Sequence, residues 1–363
     1  MSDMTSLDFR GRVSRADLAA LVDSAGASSP LSPRPLLGPA SPLAPAASPS
    51  FAAAARVVAR ASLNLTVRLW SGEAAAVEMN VLFAGPPALG QGVVLNPVEA
   101  GYDVAGFVDA ERILSLVAPA LPPEPPTAPP PFEVQADVDT MIALAGCLDA
   151  LQRDALAGRA ARLRTGRPLA PRLLDEARPL AGIEIATYLK EMWGFSRFDQ
   201  LLTAIFPFAA RVTPPSLADI DAALARLVSL GLLRLTRPDR FEPADPLEPV
   251  LRGLLGMASG LQWQRVGLQP DGVLMVSERI FLFGNGGAVF VLQPTAAGRV
   301  RLSLATRRSV VDFLVAELSP TVPEGISAPA LRFCRTCGAA LKDGWKFCGR
   351  CGAAVKETRH VER

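Results

Sequence analysis

Four of the chain's five cysteines fall into two Cys-x-x-Cys pairs, Cys334/Cys337 and Cys348/Cys351, with ten residues between the pairs. Each pair can turn a knuckle that points two thiolates inward. Four sulfurs at about 2.3 Å satisfy tetrahedral Zn²⁺ and leave no open position for water or substrate. The spacing therefore predicts one structural Zn²⁺ held by Cys334, Cys337, Cys348 and Cys351. Gly338 and Gly352 follow the second cysteine of each pair, where positive φ lets backbone N–H groups turn toward sulfur. Phe333, Trp345 and Phe347 supply nearly all the apolar cover, too little to hold so small a unit together without metal. Two redox pairs would need a βαβ setting that the sequence does not offer.

The run from Phe333 to about Ala354 resembles the bacterial zinc-ribbon family. Residues 331–363 hold eight of the chain's 37 Lys/Arg and three of its 35 Asp/Glu, a net +5. That leaves 29 basic against 32 acidic side chains, a net −3, over the other 330 residues. The ribbon is the basic end of a slightly acidic protein, suited to a protein contact or to weak nucleic-acid binding.

At 363 residues, half of them hydrophobic, the chain has material for more than one core. The fifth cysteine, Cys147, sits in the apolar run Met141 to Leu148, which reads as a small buried hydrophobe and not a nucleophile. Without a disulfide framework or a secretory signal at Met1 to Arg10, the expected compartment is a reducing cytoplasm, with no membrane segment.

Two proline-rich stretches punctuate the rest. Ser24 to Ser50 carries seven prolines and Pro119 to Pro131 carries eight, and both read as linkers. Between them a helix over 51–60, strands over 63–70, 77–83, 92–95 and 102–107, and a helix capped by Asp109 are expected. The same succession returns 197 residues later, where Val94 to Gly101 overlays Val291 to Gly298 with five of eight residues identical. An internal duplication of 51–121 and 248–318 follows, the alternative being two unrelated segments that share a β-turn. Paired modules of this kind commonly meet about a pseudo-twofold axis.

Between the modules, Val134 to Leu163 reads as a helix, followed by shorter helices over 184–193 and 198–208. Ser216 then caps a helix that Gly231 ends, and Leu232 to Phe241 reads as a β-hairpin. Three helices and a hairpin in this order resemble a winged helix-turn-helix. Its recognition helix, 216–230, holds Asp219 and Asp221 against Arg226 alone, a net −1 that phosphates would repel. Arg234, Arg237 and Arg240 of the wing are diluted by Asp239 and Glu242.

The expected fold class is α+β, with two related α-β4-α modules flanking a helical winged-helix-like segment, plus a C-terminal zinc ribbon. The chain divides into a short N-terminal helix (1–23), a Pro/Ala/Ser linker (24–50), module A (51–121) and a Pro-rich linker (122–131). A helical segment (132–181), the winged-helix-like segment (182–247) and module B (248–318) follow. A linker (319–332), the ribbon (333–356) and a tail (357–363) complete it. This layout, and the segment 216–318 in particular, resembles the ESX-type (EspG-like) secretion chaperones. The resemblance implies a cytoplasmic fold that holds an aggregation-prone helical export substrate.

Enzyme readings lack their parts. The single histidine is His360, which leaves no histidine-based triad. No P-loop and no dinucleotide fingerprint occurs, and Gly284 to Gly287 falls inside a hairpin. The expected function is a non-catalytic cytoplasmic adaptor or chaperone-like protein that binds protein partners. The alternative is a nucleic-acid-associated regulator using the wing and the basic ribbon.

Overall fold

A computed structural model describes residues 9–26, 28–41, 48–71, 77–85, 92–125, 130–193, 201–208, 213–254, 259–269, 272–295, 298–318, 332–333 and 340–341. The first half contributes β1 (Phe9–Ser14), α1 (Arg15–Ser24), α2 (Pro49–Ala59), β2 (Leu63–Ser71), β3 (Val77–Phe83), β4 (Gly92–Val98), β5 (Gly101–Val108) and α3 (Ala110–Val117). Next come β6 (Glu133–Asp137) and the long α4 (Val138–Arg164). The winged-helix-like lobe holds β7 (Leu180–Ala181), α5 (Gly182–Met192), α6 (Leu201–Ile205), α7 (Leu217–Ser229), β8 (Leu233–Arg237) and β9 (Arg240–Pro243). The second half closes with α8 (Glu248–Leu254), β10 (Ser259–Leu268), β11 (Leu274–Phe283), β12 (Val289–Thr295), β13 (Arg299–Ala305) and α9 (Arg307–Leu318).

Ten strands form one antiparallel sheet in the order β1-β5-β4-β3-β2-β10-β11-β12-β13-β6. The order is symmetric about the β2/β10 seam, where Leu65 pairs with Arg265, Val67 with Trp263 and Leu69 with Leu261. Aligning the halves by shared rungs and buried faces equates Val67 with Trp263, so the pseudo-twofold axis passes through that rung. The offset of 197 residues holds for Val94 and Val291 in β4 and β12. It becomes 196 at Val67/Trp263, 200 at Val81/Phe281 and 198 at Val104/Leu302, because the connecting turns differ in length.

The symmetry extends beyond the repeat visible in the sequence. β1 pairs with β5 at one edge and β6 with β13 at the other, and each edge strand runs straight into a helix. Residues 133–137 are thus a strand, where the sequence reads as helix from Val134. Val134 and Ala136 alternate inward, and Asp137 ends the strand by capping α4, its Oδ1 accepting from the Thr140 N–H at 2.9 Å. Ser14 caps α1 the same way, accepting from Asp17 N–H at 3.1 Å. Gly101 and Gly298, which the sequence repeat aligns, serve different ends. Gly298 adopts φ +69°, whereas a Cβ on Gly101 would lie 2.1 Å from the Val13 carbonyl oxygen of the neighbouring β1.

The described part of the first linker is docked on the fold. Leu37 is buried, Ser29 N–H donates to Ala59 O at 2.7 Å, and Arg34 Nη2 meets Asp23 Oδ2 at 2.7 Å. Its prolines lower the conformational entropy lost on ordering, which offsets its modest apolar content. In the second linker, Glu124 accepts from the Arg308 N–H at the start of α9 at 3.2 Å.

One face of the sheet packs under α3 and α9, with Leu65, Val67, Val81, Trp263, Phe281 and Phe313 in a single core. On the other face α1 and α2 cover Leu82, Val93, Leu95 and Val104. There α4, α8 and the winged-helix lobe cover Ile280, Leu282, Phe290, Leu292, Val300 and Leu302. Trp263 is fully buried on the seam, so Trp263→Ala is expected to cost about 3–5 kcal/mol. Because the ladder joins both halves, urea unfolding followed by circular dichroism should still show one transition, at a lower midpoint. A loss below about 1 kcal/mol would mean that the seam is not where the halves are held together.

Candidate functional site

The winged-helix lobe is mounted on α4. Buried Asp149 of α4 accepts the N–H groups of Leu201 (3.2 Å) and Leu202 (3.1 Å), satisfying the otherwise unpaired first turn of α6. Gly146 lets α5 close in, since a Cβ there would sit 2.6 Å from Leu189 Cδ2. Ser216 and Asp219 close a capping box on α7, whose inner face buries Ile220, Ala223, Leu224 and Leu227. The strand order β7-β9-β8 completes the wing.

The outward face of α7 carries Leu217, Ala218, Asp221, Ala222 and Ala225, all exposed, Leu217 to 43%. Its one cation is committed. Arg226 Nε donates to Thr140 Oγ1 at 2.8 Å and lies 3.5 Å from Asp137 Oδ2. Partial burial alone would raise the Asp137 carboxyl, but hydrogen bonds from Thr140 and the Arg226 charge hold it below its usual range. On the wing, Arg240 is tied to Glu184 at 2.8 Å. Glu184 in turn binds Arg178, which reaches Asp154 on α4 at 3.1 Å. The Ala181 N–H bond, then Arg178 and Arg240, lower the Glu184 pKa. Of the three wing arginines only Arg234 and Arg237 point freely outward. That pair is a sparse basis for phosphate binding.

A second feature lies at the seam. Between the helical layers, the faces of β2 and β10 opposite α3 and α9 carry a half-buried polar surface. It comprises Asn64, Thr66 and Arg68 from β2, Gln262 and Gln264 from β10. Thr66 Oγ1 donates to Asn80 Oδ1 at 2.8 Å and Gln262 Nε2 to Glu278 Oε1 at 2.8 Å. Such a surface offers backbone-like hydrogen bonding and no concentrated charge. In the sequence it shows only as the polar half of strand alternation.

Cys147 is fully buried in α4, and desolvation pushes its thiol up to about 12, so it stays neutral and unreactive at physiological pH. Cys334, Cys337, Cys348 and Cys351 lie outside the described residues. What is described there is a two-stranded hairpin, β14 (Arg332–Phe333) with β15 (Ala340–Leu341), pairing Phe333 with Ala340. Among the described residues no group of three or more His, Cys, Asp or Glu could hold a metal, and no helix is long and apolar enough to cross a membrane.

Comparison with known proteins agrees with this picture at the C-terminus. A zinc-ribbon domain family model matches residues 333–355, which include all four paired cysteines. No curated protein matches the chain. The structure of the Mycobacterium tuberculosis type VII secretion system chaperone EspG5, solved in complex with a PE25–PPE41 dimer, is similar at a TM-score of 0.39 and 13% identity. That alignment covers 85% of this chain and 95% of EspG5.

Proposed function

We propose that the protein is a non-catalytic, cytoplasmic adaptor of the chaperone kind, which binds protein partners and carries one structural Zn²⁺ on Cys334, Cys337, Cys348 and Cys351. The metal would hold the ribbon folded. The observation that carries the reading is the outward face of α7. A helix that enters a DNA groove must meet phosphates, yet this one offers leucine, alanine and aspartate, and its arginine is tied back to α4. An exposed apolar helix face on a rigid lobe is what a protein contact uses. The polar seam surface of β2 and β10 offers a further contact area. The runner-up, a nucleic-acid-associated regulator, rests on the +5 charge of residues 331–363 and on exposed Arg234 and Arg237.

Purification of the full chain from its native cell, with and without nuclease, tests the choice. A stoichiometric protein partner should survive nuclease and be lost from the Ala222→Asp variant. Partners that vanish with nuclease, and are indifferent to Ala222→Asp, would favour the regulator.

A further inference from the structure

The first half of α4 is buried almost all round, from Thr140 to Leu151, but beyond it only Ala155 is buried. The helix therefore leaves the core and projects for its last three turns. Its inner side leans on the returning chain, with Arg162 Nε against Glu176 Oε2 at 2.6 Å. Its outer side carries Arg153, Leu156, Ala160, Leu163 and Arg164 at helical spacing. Leu156 is 46% and Leu163 66% exposed, two turns apart on one stripe.

The arm is also strongly basic. Residues 151–172 contain six arginines against one acid, Asp154, which Arg178 occupies. Arg162 and Arg172 are paired with Glu176 and Asp245, while among the described residues no salt bridge reaches Arg153, Arg164 or Arg167. Beside the stripe an open groove of about 380 Å³ runs between α4 and α5, and its lining holds Asp154, Glu184 and Glu191 against Arg153 and Arg178, so the groove itself is slightly acidic and the cationic surface is the outer side of the arm. Ile183 is 57% exposed in the groove.

We infer that the outer side of the α4 arm is a docking seam for an acidic amphipathic helix of a protein partner. This rests on the protein-binding reading above and gives that partner a chemistry. Leucines seven residues apart, with alanine between, match the repeat of a second helix laid alongside. Flanking arginines with no acid of their own complement Glu or Asp on such a helix, and their planar donors suit carboxylates. A nucleic acid would gain nothing from the leucines at the centre of the stripe. A bilayer would find an apolar face too narrow to enter.

The test uses the full chain and a labelled designed peptide of about four heptads, with Leu at a and d and Glu at e and g so that it does not pair with itself. Controls are a scrambled peptide of equal composition, anionic lipid vesicles and a generic DNA duplex. The seam predicts that the patterned peptide binds at least tenfold more tightly than its scramble. Leu156→Asp with Leu163→Asp should remove that advantage while the circular dichroism spectrum stays unchanged, as suits exposed positions. Arg153→Glu with Arg164→Glu should weaken binding and flatten its salt dependence. Equal affinity for patterned and scrambled peptide, or leucine-dependent binding to vesicles or duplex instead, would overturn the inference. Loss of peptide binding on Ala222→Asp but not on the leucine changes would move the contact to α7, refuting the seam and leaving the adaptor reading intact.

Discussion

Replacing any one of Cys334, Cys337, Cys348 or Cys351 by Ser should take bound zinc from about one ion per chain to near zero. The loss is all-or-none because the ribbon's folding free energy is its metal-binding free energy, and three thiolates cannot close the tetrahedron. The same change should leave the thermal transition of the ten-stranded sheet where it is. Zinc-free Cys334→Ser protein is therefore expected to melt with the wild type's main transition, because a Pro-containing linker, 319–332, separates the ribbon from the sheet in the sequence. Elemental analysis of chelator-free protein settles the first point and circular dichroism the second. Absence of zinc from the wild type, or collapse of the sheet on chelation, would contradict this account of the ribbon.

The ribbon and the repeat were legible because their signals are local or periodic. Two Cys-x-x-Cys pairs constrain chemistry by spacing alone, and the succession around Val94 and Val291 survives in both halves at one offset. The edge strands were not legible. In β1, Val13 is the one buried hydrophobe among the side chains described, and in β6 the inward Val134 and Ala136 merge with the apolar spacing of α4. Nothing local reveals that each edge strand will pair with the last strand of its module, since that partner lies about 90 residues away in the first half and about 160 in the second. The basic stripe of α4 was equally hidden. Four arginines in a helix read as a solvated face until the structure shows which are paired inward and which leucines stand between the rest. The winged helix shows the reverse case, where acidic residues visible in the sequence turn out to sit on a helix whose lone arginine is held by Thr140 and Asp137.

The adaptor reading makes its sharpest demand on DNA binding, which the basic C-terminal segment and the arginines of the α4 arm permit only as a weak electrostatic contact. Arg240 is unsuitable as a probe, because its loss would release Glu184 and disturb the wing itself. Arg234 and Arg237 are the clean positions. With roughly three to five phosphate contacts, log affinity against log salt should have a slope of about −3 to −5, a loss of roughly 60- to 1,000-fold from 50 to 200 mM salt. The decisive measurement is a salt-titrated binding assay of the full chain on generic and selected duplexes, repeated with Arg234→Ala and Arg237→Ala. The account predicts weak, sequence-indifferent binding that is nearly gone at physiological salt and unchanged by either substitution. Sequence-selective binding that persists at physiological salt and disappears with those two arginines would contradict it and make the protein a regulator.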